Sequence, residues 1–339
     1  MRHFITTLDW SKEELQSVLA VAGNLKKNRN QPLLKGKNVA LLFLNPSLRT
    51  RASFQIGASE LGAHAVVLEP GNGVWGIEFD NDKVMDGDAE EHIKEVAGVL
   101  SRYCDIICMR AFPEFRDWEY DRNDLWIKAL SEHSTVPVIN METVVHPCQE
   151  LALMHTLQEK LGDVSRKQLT VTWTWHPRPL NTAVANSAIM IATKFGMNVK
   201  LLCPDPDFAL DERFMKAAHA NAEQSGGTFD VTHSIEEGYT DADVIYAKSW
   251  GVLPYYGDIE SAQNSAERYK HFIVDEQKMK LTNNALFSHC LPLRRNVKVT
   301  DGVMDADYCV AMDEAENRLH VQKAVMLNLL GVGPDEVQS

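Results

Sequence analysis

Residues 38–51 read NVALLFLNPSLRTR. The first seven residues, 38–44, form a continuous apolar, β-rich run, which is typical of a strand buried on both faces of a parallel sheet. Pro46 and Ser47 then predict the start of a helix, with Ser47 as its N-cap and Gly62 at its end. A strand that leads directly into a helix is the repeating unit of an α/β sheet, so this stretch predicts an α/β fold.

The same alternation continues toward residue 140. Residues 64–69 (HAVVLE) are strand-like, and Asp88 with Glu91 three positions later predicts a capping box that opens a second helix. Residues 104–109 and 136–140 are further apolar, strand-like runs. Alternating strands and helices of this kind predict right-handed βαβ units in a doubly wound parallel sheet.

The alternation begins again after residue 149. Residues 149–161 (QELALMHTLQEKL) predict a helix that connects two domains, and helices are also predicted near Asn181 and near Asp211. Residues 316–331 predict an amphipathic helix. Further strands are predicted at 169–175, 198–204, 242–248, 271–275 and 285–291. The expected architecture is therefore two doubly wound parallel-sheet, Rossmann-like domains joined by interdomain helices, with ligands at the carboxyl ends of the strands.

Length and charge exclude several classes of protein. The 339 residues are too many for one ordinary compact core and favour two domains. With 34 basic and 47 acidic residues, the formal net charge is −13. Such a surface repels polyanions, which argues against a nucleic-acid partner or an anionic membrane partner. An anionic ligand would have to bind in a local cationic pocket.

The ends and the cysteines indicate a cytoplasmic location. The first 15 residues lack the apolar core of a secretory signal, and apolar runs such as 39–44 are far shorter than a membrane span. The six cysteines are scattered, without a CxxC pair or the spacing of a zinc site. We therefore expect reduced thiols, no bound metal and no membrane partner.

The segment 45–51 (NPSLRTR) is the first candidate site. It follows a predicted strand and opens a predicted helix. We therefore expect unpaired backbone N–H groups of 47–50, the positive end of the helix dipole, two hydroxyl groups and an arginine to converge there. These are the usual components of a phosphate site. The alternative is an ordinary Ser-capped helix with solvated arginines.

The segment 146–149 (HPCQ) is the second candidate site. It lies between a predicted strand and the connector helix, and Pro147 suits the first turn of a helix. A neutral His146 with Gln149 could hydrogen-bond a carbonyl group and polarise it for attack. The alternative is a capping or surface histidine.

The segment 288–295 (SHCLPLRR) is the third candidate site. Backbone groups of Cys290 and Leu291 ahead of Pro292 would be free to meet a ligand, and Arg294 and Arg295 add positive charge. The alternative is a loop imposed by the proline.

A G-x-G-x-x-G pattern at 71–76 (GNGVWG) is a weak candidate for a dinucleotide site. It follows a predicted strand, but the next residues, IEFDNDK, have no helical period. The fingerprint requires a helix at that point, so we expect a Trp-bearing loop instead and no nucleotide cofactor.

Taken together, S-x-R-T-R at 47–51, H-P-x-Q at 146–149 and H-C-L-P at 289–292 resemble the transcarbamylase family. The resemblance implies a carbamoyl phosphate-binding domain (1–148 with the helix 317–339), an amine-binding domain (149–316) and no cofactor. It also implies a homotrimer whose active sites are shared between subunits.

Within that family, three segments resemble the branch that acts on N2-acetyl-L-ornithine in arginine synthesis: 140–146, 173–182 and 289–298. The segment 243–251 (DVIYAKSWG) departs from the D-x-x-x-S-M-G loop of ornithine enzymes. Other amines, namely succinylornithine, putrescine or free ornithine, stay open as substrates. A two-domain solute-binding protein is the alternative from a different class, although such proteins are usually exported.

The resemblance also implies roles for single residues. The expected contacts to carbamoyl phosphate are Ser47, Leu48, Arg49, Thr50, Arg110, His146, Pro147, Cys148, Gln149, Cys290, Leu291 and Arg318, with Trp75 supplied by a neighbouring subunit. Among these, Thr50, Arg110 and His146 would be catalytic. The expected contacts to acetylornithine are Glu142, Lys248 and Leu291.

Two further residues are singled out by the resemblance. Glu90 would favour an acetyl over a succinyl substrate, and Lys298 could be carboxylated. The sequence alone favours an ordinary exposed lysine at position 298. The sequence-distant arginines Arg49, Arg110, Arg294 and Arg318 are expected to meet at one cationic crevice.

Overall fold

The computed structural model describes residues 1–338, which divide into two compact units. Unit 1 comprises 1–113, 119–151 and the described residues after Glu316, and unit 2 comprises 114–118 and 152–316. The chain thus changes unit within two long helices. The domain boundaries drawn from the sequence, 148/149 and 316/317, remain predictions.

The secondary structure alternates strands and helices along the chain. The helices are α1 (Lys12–Lys27), α2 (Arg49–Glu60), α3 (Ile93–Tyr103), α4 (Trp118–Asp121), α5 (Leu125–His133), α6 (Pro147–Leu161), α7 (Ala183–Lys194), α8 (Glu212–Ser225), α9 (Ile235–Tyr239), α10 (Ile259–Glu267), α11 (Glu276–Met279), α12 (Asp301–Met304) and α13 (Ala311–Leu329). The strands are β1 (Asn38–Phe43), β2 (His64–Leu68), β3 (Ile77–Glu78), β4 (Glu91–His92), β5 (Ile106–Arg110), β6 (Val138–Glu142), β7 (Gln168–Trp173), β8 (Asn198–Leu202), β9 (Thr228–Thr232), β10 (Val244–Lys248) and β11 (Leu286–Ser288).

Unit 1 is built on a four-stranded parallel sheet in the order β2-β1-β5-β6. The apolar run that opens the sequence analysis forms β1, and its residues 39–43 are at most 4% exposed. Strand order reverses between β1 and β5, where the chain places β2 on one side of β1 and β5 on the other. Ligands of such sheets bind at the carboxyl ends of the strands flanking this switch point.

Unit 2 repeats the design with a five-stranded parallel sheet in the order β11-β10-β7-β8-β9. The chain builds outward from β7 through β8 to β9, and then returns to the other side with β10 and β11. The switch point therefore lies between β7 and β10. The predicted α/β class with two parallel-sheet domains is confirmed.

Three local predictions were wrong, and one strand was missed. Residues 271–275 form no strand, because only Val274 makes an isolated bridge, whereas β9 was not predicted although it completes the second sheet. The N-cap of α3 is His92, whose Nδ1 accepts the N–H of Lys94 at 3.2 Å, so Asp88 is not the cap. The C-terminal helix is buried around almost its whole circumference from Asn317 onward, rather than amphipathic.

Two global features bear on the sequence-based exclusions. Within residues 1–338, none of the helices combines the length and the apolar character that crossing a bilayer requires. All six cysteines are free thiols, five of them buried and Cys309 partly exposed.

Candidate active site

The loop between β1 and α2 lies at the switch point of unit 1. The helix begins at Arg49, two residues later than the predicted N-cap Ser47. Ser47 still acts on the first turn, because its Oγ accepts the N–H of Thr50 at 3.2 Å. That N–H is therefore engaged, which corrects the expectation that all the N–H groups of 47–50 lack partners. Leu48 projects outward with 76% of its surface exposed.

The two arginines of this loop have different environments. Arg51 pairs with Glu69, with Nη1 and Oε1 2.6 Å apart, and its guanidinium lies 5.8 Å from the centre of the Phe43 ring. Arg49 is half-buried at the start of α2. A cation at the start of a helix opposes the helix dipole, so an anion bound there would stabilise Arg49 directly.

Arg318 links α13 to this loop. Its Nη2 donates to Thr50 Oγ1 at 2.6 Å, and both side chains are at most 3% exposed. Burial, followed by the charge of Arg110, lowers the pKa of Arg318 to about 10. Arg49 contributes to the same lowering and Glu142 opposes it. Three of the four predicted arginines, Arg49, Arg110 and Arg318, thus lie together in unit 1 and form a buried cationic site.

Arg110 and Glu142 end the neighbouring strands β5 and β6 and are paired in register. The Arg110 guanidinium donates to Oε2 of Glu142 in a buried ion pair. The same oxygen lies 3.4 Å from Nε2 of His146, which is 2% exposed. The carboxyl ends of parallel strands meet at one edge of a sheet. Arg110 therefore lies in one cluster with Glu142 and His146, which follow it in the sequence by 32 and 36 positions.

The HPCQ segment forms the start of α6. Pro147 is its first residue, and the N–H of Gln149 donates to the carbonyl of His146 at 3.0 Å. Gln149 is 2% exposed. Burial raises the pKa of Cys148 to about 12, so this thiol stays protonated and acts as a packing residue in the turn.

Trp75 and Glu90 lie beside a short two-stranded ribbon of unit 1. Strands β3 and β4 pair in parallel, and the N–H of Glu91 donates to the carbonyl of Gly76 at 3.2 Å. Trp75 and Glu90 immediately precede these two bonded residues, and both are exposed, Trp75 to 67%. A strand rather than a helix follows Gly76, which agrees with rejecting the dinucleotide fingerprint.

In unit 2 the candidate residues gather at the β7–β10 switch point. Lys248 ends β10 opposite Trp173, and the N–H of Thr174 donates to the Lys248 carbonyl at 3.0 Å. Lys298 is 2% exposed, so the expectation of an ordinary exposed lysine was wrong. Burial, reinforced by the charges of Lys248 and Arg294, lowers the pKa of Lys298 to about 7. At neutral pH a large fraction of this amine is deprotonated.

His176 and Arg178 belong to the same cluster but were given no role from the sequence. Burial lowers the pKa of His176 to about 4, and the charges of Lys298, Arg294 and Lys248 add to the effect. His176 also contacts the Arg178 backbone through Nδ1, 2.8 Å from its carbonyl oxygen. The position of this segment directly after β7 was the sequence signal that could have revealed it.

The segment after β11 holds Cys290 and Leu291. Cys290 is 8% exposed, and Leu291 has φ of +52°, a left-handed conformation that is unusual for a branched residue. The N–H of Leu291 donates to Nδ1 of His289 at 2.8 Å. The expectation that the backbone of Leu291 is free was therefore wrong for its N–H group.

No cluster of three or more histidine, cysteine, aspartate or glutamate side chains suited to a metal ion occurs in the part of the chain that the structure describes. The charged groups that do gather are an ion-paired cationic site in unit 1 and a set of lysine, arginine and histidine side chains in unit 2. Both arrangements suit small anionic ligands.

Two family models account for nearly the whole chain. The carbamoyl-P binding domain of aspartate/ornithine carbamoyltransferases matches residues 2–159, and their Asp/Orn binding domain matches residues 167–329. The chain therefore belongs to the aspartate/ornithine carbamoyltransferase family of enzymes, which confirms the resemblance found in the sequence.

Individual relatives resemble it over nearly their full length. The N-acetylornithine carbamoyltransferase of Xanthomonas campestris is 58% identical, with 98% of each chain covered. The N-succinylornithine carbamoyltransferase of Bacteroides fragilis is 37% identical, with 94% of this chain and 95% of the relative covered. A crystal structure of acetylornithine transcarbamylase complexed with acetylcitrulline superposes with a TM-score of 0.96 at 58% identity, covering 97% of this chain and 99% of that one.

Proposed function

We propose that this protein transfers the carbamoyl group of carbamoyl phosphate to the δ-amine of N2-acetyl-L-ornithine, giving N-acetyl-L-citrulline and phosphate in arginine synthesis. The observation that carries the proposal is the cationic site of unit 1, where the first turn of α2 meets Arg110, His146 and Arg318. The 58% identity to an N-acetylornithine carbamoyltransferase supports the choice of amine.

Carbamoyl phosphate would bind to unit 1 through its phosphate group at the start of α2. The helix dipole and Arg49 would stabilise the phosphate, with the backbone of Ser47 and Leu48 and the buried Arg318 nearby. Pro147, Cys148 and Gln149 would shape the pocket at the start of α6, and Gln149 would hydrogen-bond the carbamoyl amide. The carbonyl groups of Cys290 and Leu291 in unit 2 would accept hydrogen bonds from that amide.

In the chemical step, the neutral δ-amine attacks the carbonyl carbon. A C–N bond forms, the bond between that carbon and the bridging phosphate oxygen breaks, and phosphate leaves with the electron pair and accepts a proton from the amine. Thr50, Arg110 and His146 would stabilise the tetrahedral oxyanion. Because Thr50 Oγ1 accepts from Arg318, the threonine hydroxyl proton remains available to the oxyanion.

The amine substrate would be held mainly by unit 2. Acetylation removes the positive charge of the α-amine, so the negative α-carboxylate is the only charged group at that end of the ligand. The cationic cluster around Lys248 suits such a group. Leu291 would contribute its carbonyl and its side chain. Glu142 of unit 1, already paired with Arg110, would contact the amine end of acetylornithine.

Glu90 and Trp75 would complete the site in a homotrimer. Trp75 is a large aromatic residue with 67% of its surface exposed, and Val84, nine residues later, is 75% exposed. Exposed apolar side chains of this size favour burial against another chain. We infer that Trp75 enters the site of an adjacent subunit, and that Glu90 selects acetyl over succinyl groups.

Lys298 would be carboxylated. The neutral amine adds to CO2, an N–C bond forms and one proton is released, which leaves a carbamate anion. The buried position and the pKa of about 7 supply the neutral amine that this addition requires. The negative carbamate would also neutralise the repulsion from Lys248. The free thiols further support a reducing, cytoplasmic location.

The test uses two arginines of one loop. The wild-type enzyme should release phosphate over many turnovers only when carbamoyl phosphate and acetylornithine are both present. Arg49→Ala should lose about 100-fold or more in kcat/KM for carbamoyl phosphate. Arg51→Ala is the matched control, because Arg51 pairs with Glu69, and it should stay within about threefold of wild type.

Two results would contradict the proposal. Unchanged turnover in Arg49→Ala would show that carbamoyl phosphate does not bind at the start of α2. Stoichiometric binding of acetylornithine without turnover would favour a solute-binding protein instead.

A further inference from the structure

A buried carboxylate in unit 2 connects two strands that lead into the candidate site. Glu314 lies in the first turn of α13 and is 0% exposed. Its Oε1 accepts a hydrogen bond from the hydroxyl of Tyr246 at 3.0 Å, and its Oε2 accepts one from the hydroxyl of Ser288. An ionised carboxylate accepts only, so the two hydroxyl groups each have a defined direction.

Tyr246 and Ser288 are also the last register pair of β10 and β11. Both are buried, with Tyr246 1% and Ser288 0% exposed. Glu314 therefore binds one hydroxyl from each strand at the point where the paired register of the two strands ends. Lys248 follows Tyr246 by two residues, and Cys290 follows Ser288 by two residues.

We propose that Glu314 is a positioning residue that fixes Lys248 and the 290–291 backbone in one arrangement for the two substrates. This rests on the proposed function, because it assumes that Lys248 and Leu291 hold acetylornithine and that the 290–291 carbonyl groups bind carbamoyl phosphate. Glu314 accepts one hydrogen bond from each strand, so a single side chain ties both strand ends to the first turn of α13. Both terminal oxygens are used, one for each strand.

The experiment removes one hydroxyl at a time without changing shape. Tyr246→Phe releases the end of β10, and Ser288→Ala releases the end of β11. Tyr246→Phe should raise KM for acetylornithine about tenfold or more, because a misplaced binding group costs affinity steeply, while KM for carbamoyl phosphate stays within about twofold. Ser288→Ala should raise both KM values, because the 290–291 carbonyl groups are also proposed to bind carbamoyl phosphate. In a Glu314→Leu background, Ser288→Ala should add nothing further to KM, since the shared partner is already absent.

A matched control separates positioning from general stability. Ser225 donates to the carbonyl of Thr193 at 2.6 Å, which ties α8 to α7 in the same unit. Ser225→Ala should lower the thermal midpoint to an extent similar to Ser288→Ala, with KM for both substrates unchanged.

The proposal is overturned if Tyr246→Phe and Ser288→Ala leave KM for acetylornithine at the wild-type value. It is also overturned if Tyr246→Phe raises both KM values together in proportion to lost stability. Should the wild type turn over a different amine, the proposed function fails by itself, and the same comparison with that amine still decides the role of Glu314.

Discussion

Both sheets reverse their strand order where the candidate site residues lie, but the charges at the two switch points are balanced differently. In unit 1, the Arg110 guanidinium at the end of β5 is paired with Glu142 at the end of β6. In unit 2, Lys248 at the end of β10 acts on Lys298, and only like charges and burial lower the pKa of that lysine, opposed by Cys290.

The difference indicates how each unit would receive its ligand. A buried ion pair keeps the cations of unit 1 charged and oriented before an anion arrives, which is the preorganisation that transition-state stabilisation requires. The cations of unit 2 repel one another, and this repulsion destabilises the folded protein. An added negative charge, whether a substrate carboxylate or a lysine carbamate, would reduce that electrostatic cost.

The largest expected effect tests that cost. The pKa of Lys298 is about 7 in the folded protein against 10.5 for an ordinary lysine. The unfolded chain binds this proton more tightly, so stability is lowest below pH 7 and rises as the pH increases from 7 toward 10.5. In CO2-free buffer the penalty below pH 7 should be roughly 4 to 5 kcal/mol in unfolding free energy, relative to a site with no shift.

Lys298→Met should remove this rise, as measured by denaturant midpoints at several pH values between 7 and 10. Identical pH dependence in wild type and variant would show that Lys298 is not held in a cationic, buried environment.

The second effect concerns the ion pair of unit 1. Arg110→Met should reduce kcat by about 10²–10³, because the proposed oxyanion donor is lost. It should also destabilise the protein by about 3–5 kcal/mol, because Glu142 is left buried and unpaired. Arg110→Met with Glu142→Gln should recover most of that stability and none of the activity. Recovery of turnover in the double variant would show that Arg110 serves only to neutralise Glu142.

The third effect separates the substrates of the two units. Lys248→Met should raise KM for acetylornithine about 10- to 100-fold, the range expected for a hydrogen bond to a charged group, with KM for carbamoyl phosphate little changed. It should also raise the pKa of Lys298, since the Lys248 charge lowers it. Lys200→Met is the control, because Lys200 lies in the middle of β8 and its ammonium donates to the carbonyl of Glu237 at 2.8 Å. An equal rise in both KM values would contradict the division of roles.

The smallest effect concerns the exposed loop of unit 1. Glu90→Pro should shift the ratio of kcat/KM values from acetylornithine toward succinylornithine by about tenfold, because it removes a negative charge that would repel the succinyl carboxylate. Asp88 is an exposed acidic residue two positions before Glu90, and Asp88→Ala should leave the ratio unchanged. The two ratios are measured by competition between the amines in one reaction. Equal shifts in both variants would show that Glu90 does not select between acetyl and succinyl groups.

The sequence predicted those parts of the fold where a local pattern decides the structure. The run 38–44 is buried on both faces, so its apolar continuity identified β1, and Pro147 marked the start of α6. Strand β9 was missed because it is an edge strand with polar residues and an exposed Val231. Such a strand depends on its neighbour β8 more than on its own pattern.

The site shows the same division. The three motifs correctly indicated where polar groups gather, since each follows a strand. The burial of Lys298 could not be predicted, because its sequence neighbours Arg294 and Arg295 are exposed and the packing comes from distant segments. The hydrogen bond between Thr50 and Arg318 joins residues 268 positions apart, and only the fold brings them together.

The central claim is that this enzyme carbamoylates an ornithine whose α-amine is acetylated. The most direct measurement is kcat/KM for N2-acetyl-L-ornithine and for L-ornithine, with saturating carbamoyl phosphate and the products identified by mass. The account predicts N-acetyl-L-citrulline as the product and a preference of about 10³ or more for the acetylated amine, because the cationic cluster of unit 2 repels a free α-ammonium group. Equal or reversed preference, with citrulline as the product, would contradict it.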